Sequence, residues 1–288
     1  MKVKISVIVT VYNRFEYARN ILKCLINQTC TIHELIFADD GSKENLFDAV
    51  KDLIPKCNFK IKHIYQEDLG FRASKNRNNG AREAEGDILL FMDQDVIFPD
   101  NFIEKFLNDS QEGKFIFSRA INSTENEKLR IEELINLDGK YSKIYKDVDY
   151  REKIKQRKQK NNKDIFYNFL YSIKLRSRGA KIPSMIFSIN KNDFIKVNGF
   201  DENFEGWGHE DDDLFNRLYK AGFASKPIFF DMPPIHMWHH HEKSKKESPN
   251  ERYYRKRKEE ISRKNYRCVN GYKNSSKNDN KIHLKILN

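Results

Sequence analysis

A membrane-spanning helix needs roughly 18 to 20 apolar residues in a row, and nothing in these 288 residues comes near that. Cysteine is scarce: Cys24, Cys30, Cys57 and Cys268 are the whole complement, and no two stand in CxxC spacing. With no secretory signal to go with them, the expected state is reduced thiols in the cytoplasm. The first apolar run, inside MKVKISVIVTVYNR, is too short for a secretory signal and reads as a buried strand. No GxxxxGK[ST] is present, which excludes phosphate binding through a P-loop. There is also no internal repeat.

What the chain does have is a core and a charge. Hydrophobic residues make up 39% and aromatics 12%, enough for one large domain or two small ones. The net charge of +11 points to an anionic partner: phospholipid, nucleotide phosphate or nucleic acid.

The β-branched run at Val3–Val11 reads as a central parallel strand covered on both faces. Helical periodicity follows over 15–28, then a strand at 34–38, a helix at 46–53 and a strand at 60–65. A helix over 73–85 is closed by Gly86, and a strand over 87–92 runs into Asp93-Gln94-Asp95. Pro99 opens a further helix. Strands alternating with helices predict an α/β, doubly wound, Rossmann-like, mostly parallel sheet flanked by helices, with ligands at the carboxyl ends of its strands. Residues 121–180 read as a charged helical insert or lid, with a strand over 182–189 and a late strand at 228–230. The expected organisation is a catalytic domain over 1–242 and a basic C-terminal tail over 243–288. A basic helix is expected at 252–264 and a poorly ordered end beyond it.

Polar clusters fall at the expected strand ends. In Gly206–Leu218, GWGHEDDDLFNRL, four carboxylates from Glu210 to Asp213 precede a helical pattern. Like charges so close repel unless something uses or neutralises them, and a helix N-terminus does part of that. Trp207 beside them offers the flat apolar face on which a sugar ring stacks. The plainer reading is a solvated acidic first turn. Asp93 and Asp95 could share a hard divalent cation carrying a diphosphate, although a DxD pair also occurs as a simple helix cap. His236, Met237, Trp238, His239, His240 and His241 form a cluster whose imidazoles suit Mn²⁺ better than Ca²⁺. Asp40 could accept the imide N–H of a uracil and Tyr12 could stack on it; alternatively Asn13 and Asp40 serve as a helix cap and an Asx turn. Arg72, Lys75 and Arg77 stand at a helix start, where the dipole disfavours cations unless an anion such as a diphosphate joins them.

Taken together these residues resemble the inverting glycosyltransferases with the GT-A fold. SVIVTVYNR, FADDGS, GFRASKNRNNGAREAEG and LLFMDQD are similar to the bacterial family 2 enzymes. NGFDENFEGWGHEDDDLFNRLYKAGF resembles the β-1,4-galactosyltransferase catalytic region, a combination shared by chondroitin-polymerase-type transferases. The resemblance covers roughly residues 3–121 and 181–253. It implies Asp211 as catalytic base, with Trp207, Glu210 and Asp212 on the acceptor. It implies Thr10, Tyr12 and Asp40 on the uracil, with Asp93 on the ribose or a metal-bound water. Asn13, Arg72 and Arg77 complete the expected donor-nucleotide set. For the metal, Mn²⁺ with Mg²⁺ as the alternative, it implies Asp95 and His240, with His239 as a one-residue slip and Met237 as a second soft ligand. The implied donor is a UDP-sugar, with galactose or N-acetylgalactosamine favoured, and the acceptor a bacterial surface glycan or lipid-linked chain.

The expected location is cytoplasmic, on the inner face of the membrane if the tail meets anionic lipid. No nucleic-acid partner is expected. Two rivals remain at this level: a basic nucleic-acid-binding protein, which leaves the acid cluster and DxD unexplained, and a sugar-binding module without turnover.

Overall fold

The structure, a computed structural model, describes residues 3–138, 140–183, 186–240, 248–275 and 282–288. The β-branched run makes β1 (Ile5–Val11), nearly all of it buried. It lies between β2 (Glu34–Asp39) and β4 (Ile88–Asp93), both parallel to it, and β3 (Lys60–Tyr65) extends the parallel set beyond β2. The helices α1 (Phe15–Ile26), α2 (Leu46–Val50) and α3 (Ala73–Glu83) lie between them in the chain. Thr10 is in register with Ala38 on one side and Asp93 on the other. The first, second and fourth strands therefore end level, and Tyr12, Asp40 and Asp93 leave the sheet along one edge.

Side chains alternate between faces along a strand. Val7, Val9, Leu35, Phe37, Leu90 and Met92 join the core under α1 and α4 (Phe102–Asp109). Ile8, Ile36, Ala38, Leu89 and Phe91 join the second core, together with Leu214 and Leu218 of α9 (Glu210–Lys220). Helix α3 is polar in sequence, ASKNRNNGARE, yet most of it is buried. Its amides bond inward: Asn76 to the Ala38 carbonyl at 2.7 Å, Asn79 to Gln66 at 2.8 Å, and Asn78 to the Phe200 carbonyl and Glu202. Gly80 lets the helix reach the sheet, since a Cβ there would stand 2.6 Å from Ile8 Cγ2.

Three elements depart from the expectations. KFIFS forms β6 (Lys114–Ser118), too short a run to stand out by periodicity. The late strand β9 (Ala224–Ile228) begins earlier than expected and pairs parallel to β6. Between β4 and β6 lies β8 (Ile186–Asn190), antiparallel to both. The third departure lies in the basic tail, where the sequence predicts a helix at 252–264 but not the packing of the tail on the body. Helix α10 (Glu251–Ser262) packs on α9, buried Cys268 sits against the 197–200 backbone, and β11 (His283–Ile286) adds antiparallel to β3. Among the described residues the sheet order is β11-β3-β2-β1-β4-β8-β6-β9.

The insert is helical, as α5 (Glu125–Asp138), α6 (Tyr141–Asp147) and α7 (Arg151–Ser172). It is anchored to the body. Ile131, Ile135, Tyr141 and Ile144 join the first core, and Asp164 of α7 meets Arg119 at 2.6 Å. A small ribbon of β5 (Val96–Ile97), β10 (Ile235–His236) and β7 (Ile121–Asn122) completes the frame.

Candidate active site

The carboxyl edge of the sheet opens into a cavity of about 440 Å³. Its wall includes Thr10, Tyr12, Asp40, Arg77, Asp93, Asp95, Trp207, Glu210, Asp211, Asp212, His236 and His239. Residues from the first strand and from the late histidine segment thus face one space.

The ribbon explains how the histidine segment arrives. β10 runs antiparallel to β5, with His236 opposite Val96, and the Met237 N–H donates to the Asp95 carbonyl at 2.7 Å. His236 Nε2 lies 3.4 Å and His239 Nε2 3.2 Å from the Asp95 carboxylate. One ligand atom from each of these three residues lies within 4.8 Å of the others. Burial pushes the Asp95 carboxyl up, but the two imidazoles outweigh it and hold it below the usual carboxylate range. Its buried Oδ1 has no hydrogen-bond partner among the described residues. A deeply held carboxylate with two imidazoles is a fitting donor set for Mn²⁺.

Two expectations for the metal are corrected. His240 is exposed and sets its ring against Trp238 at 4.5 Å. Met237 is fully buried in the first core, pointing the opposite way from its strand neighbour His236. His236, the last residue of β10, faces Asp95 together with His239, while Met237 just beyond the strand turns into the core. His241 lies outside the described residues.

The acid cluster divides by role. Asp213 pairs with Arg217 at 2.6 Å, and Arg257 of α10 approaches Asp213 and Asp201 at 3.7 and 3.3 Å. That buried set of two acids and two arginines is structural. Asp212 accepts from the Tyr254 hydroxyl at 2.9 Å and lies 3.5 Å from Arg178. Asp211 and Glu210 face the cavity and share Arg77, whose guanidinium lies 3.2 Å from Asp211, 3.6 Å from Glu210 and 3.1 Å from Asp93. Burial pushes the Asp211 carboxyl well above the usual range; Arg77 opposes this, while Glu210 and Asp93 add to it. Arg77 thus bridges carboxylates from two ends of the site, a different setting from the diphosphate expected of it.

The GWG turn is held from behind. The Ser248 hydroxyl donates to the Trp207 carbonyl at 2.8 Å and Asn250 to the Gly208 carbonyl at 3.0 Å. Gly208 has φ 108°, a left-handed conformation open to glycine, and a Cβ there would meet Ser248. The Trp207 indole is 44% exposed at the cavity mouth.

At the other end, Asp39 and Asp40 part company. Asp39 accepts from Ser42 and His63, closing the Asx turn expected of its neighbour. Asp40 accepts from Gln66 and from the Arg72 backbone N–H, and burial pushes its carboxyl up to about 6. The Arg72 guanidinium is turned to the Glu67 carbonyl. Asn13, also expected on the nucleotide, accepts from the Lys43 N–H at 2.9 Å and shapes the loop instead. The Tyr12 ring is 43% exposed, and its hydroxyl donates to Asp68. Sequence reasoning passed over Gln94, whose side chain bonds the Tyr12 N–H and carbonyl and ties the DxD turn to the end of β1. It also passed over Arg14 and Phe71 on the cavity wall. Phe71 alone carried a signal, an aromatic directly after a Leu-Gly turn.

A mostly parallel sheet carrying a DxD turn at its carboxyl edge, with an acidic helix facing it, defines a GT-A-type glycosyltransferase catalytic domain. Residues 6–178 match the model for glycosyl transferase family 2, and the chain belongs to that family. Residues 164–241 match a second model, described as the N-terminal domain of galactosyltransferase. Chondroitin synthase of Escherichia coli is 27% identical over 228 residues, covering 76% of this chain and 32% of that protein. Validoxylamine A glucosyltransferase of Streptomyces hygroscopicus subsp. jinggangensis is 26% identical over 226 residues, covering 76% of this chain and 52% of its own. The chain therefore spans between a third and a half of the length of these two relatives. Among solved structures, S. aureus TarS 1-349 in complex with UDP-GlcNAc superposes with TM-score 0.57 at 15% identity, over 94% of this chain and 68% of that one. GalNAc-T7 with UDP, GalNAc and Mn²⁺ gives TM-score 0.56 at 13% identity, over 92% and 50%. These two likenesses are of fold.

Proposed function

We propose that this chain transfers a sugar, galactose or N-acetylgalactosamine, from a UDP-sugar to a hydroxyl of a glycan acceptor, with inversion at the anomeric carbon. The observation that carries the proposal is the placement of Asp95 with two imidazoles and of Asp211 beside Trp207 around one cavity. Family membership supports the reaction class, and the UDP and UDP-GlcNAc complexes of the fold neighbours support the donor class.

In this reading Asp40 and Tyr12 bind the uracil and Asp93 the ribose side. Trp207 stacks on the acceptor sugar and orients one hydroxyl toward Asp211. Asp211 takes the hydroxyl proton, and the oxygen forms a bond to the anomeric carbon from the face opposite UDP. The bond from that carbon to the diphosphate oxygen breaks, and UDP leaves with the electron pair. Arg77 opposes the rise that burial imposes on the Asp211 carboxyl, favouring the ionised form that a base needs. Asp95, His236 and His239 would hold Mn²⁺, with Mg²⁺ as the alternative. When bound, the ion supplies positive charge against the diphosphate leaving group.

The test is UDP release across a panel of UDP-sugars with Mn²⁺ and mixed glycan acceptors, with Asp211→Asn as control. Acceptor-dependent release from UDP-galactose or UDP-N-acetylgalactosamine, lost in the control, is expected. UDP-sugar binding without release from any donor would reject the transferase assignment.

A further inference from the structure

Tyrosine and long cationic side chains suit a membrane interface, but Tyr253 and Tyr254 of the tail are turned inward: Tyr253 bonds Asp201 and Tyr254 bonds Asp212. Another surface carries that chemistry. Residues 153–178 contain nine lysines and arginines and a single acid, Asp164. Asp164 is fully buried, facing Arg119 and Lys160 on the inner side of α7. No acid of residues 153–178 therefore faces outward; the exposed acid of α7 is Glu152 in its first turn.

At the C-terminal end of that helix the outward side becomes apolar. Ile165, Phe166, Phe169 and Ile173 recur at three- and four-residue spacing, which places them on one face. All four are about half exposed, and Leu175 just beyond is 72% exposed. Lys155 and Lys158 continue the same face toward the N-terminus, and both are exposed. The inner side is committed to the fold: Asn168 bonds the Ser225 carbonyl and Tyr171 the Tyr219 carbonyl. Just past Leu175 the chain returns to the active cavity, with Arg178 on Asp212 and Lys181 on the wall.

We propose that the outer face of α7 docks this protein on an anionic lipid surface. Half-exposed phenylalanine and isoleucine flanked by lysine is the pattern of a helix lying in the headgroup plane. The lysines are complementary to anionic headgroups and the rings to the acyl boundary. No described helix is long and apolar enough to cross the membrane, so the helix lies on the surface. Docked this way, the cavity mouth beside Arg178 and Lys181 lies next to the lipid.

The experiment is sedimentation of the full chain with phosphatidylglycerol vesicles and with phosphatidylcholine vesicles, read independently of turnover. Wild type should sediment with the anionic vesicles alone, and less as salt shortens the Debye length to ~10 Å or below. The double substitution Phe166→Ser, Phe169→Ser should weaken binding by ~10-fold or more through loss of ring insertion. Lys155→Glu with Lys158→Glu should weaken it in the same direction. Both variants should keep the wild-type UDP affinity and melting temperature, because these side chains point away from core and cavity. Equal sedimentation of wild type and variants would overturn the proposal. So would no sedimentation of wild type, or a wild-type dimer in the ultracentrifuge that the phenylalanine substitutions disperse.

Discussion

At the scale of single residues the site rests on a buried cation. Arg77 touches Asp93, Glu210 and Asp211, and without it three carboxylates would face each other at low dielectric. Asp211→Asn should lower kcat by at least ~10²-fold, the smaller contribution of a positioned base, while UDP affinity by calorimetry is retained. The pH profile follows from the direction of the Asp211 shift. A base must be ionised, and burial raises the pH at which Asp211 ionises, so the acidic limb of kcat/KM should lie above that of an exposed aspartate. Arg77→Met removes the charge opposing that rise and should move the limb to still higher pH. A limb that stays in place would dissociate Arg77 from the base. For the metal, His236→Ala and His239→Ala should each raise the Mn²⁺ concentration needed for half-maximal turnover by ~10-fold or more. His240→Ala should leave it unchanged.

At the scale of elements, the decisive pieces are a polar helix and a strand of only two residues. Helix α3 is buried through its amides and through the close approach at Gly80. Gly80→Ala would push a methyl into Ile8, and overpacking of this kind costs about 1–3 kcal/mol. Urea denaturation should show it as a lower midpoint with an unchanged slope. Strand β10 was invisible in sequence because so short a strand has no periodicity to read. Its pairing with β5 nevertheless brings His236 to face Asp95. Whether His239 or His240 faces Asp95 is decided by the backbone after β10, which position along the chain cannot show. The parallel strands β1, β2 and β4 were legible because each holds a compact apolar run ending in a turn, and β3, KIKHIY, because Ile61 and Ile64 are set among polar residues in a short segment between helices.

At the scale of the whole molecule, the described parts of the C-terminal segment pack on the body of the fold. Arg257 of α10 is buried against Asp201 and Asp213, directly beneath the helix that bears Asp211. Truncation after Tyr254 removes this cation and leaves buried Asp201 and Asp213 with Arg217 as the remaining arginine of the set. Breaking a buried pair by losing one partner costs about 3–5 kcal/mol. The truncated chain should melt well below the full chain and lose turnover with it, and equal melting temperatures by calorimetry would show that the cluster is dispensable. Arg257→Met isolates the same loss in the full-length chain.

The sequence alone determined the α/β alternation, the sheet edge at which the cavity opens, and the residue types that line it: a DxD turn, an acidic helix start beside an indole, and a histidine run. Those follow from local physics, since periodicity, turn chemistry and charge repulsion act over a few residues. The tertiary structure alone decided which members of each cluster share a space. Asp95 meets His236 and His239 through a ribbon that joins segments far apart in the chain. Asp211 and Asp213 stand on one helical turn that sends the first to the cavity and the second to Arg217. Such choices depend on register and on which face is buried, and those are settled only when distant segments pack.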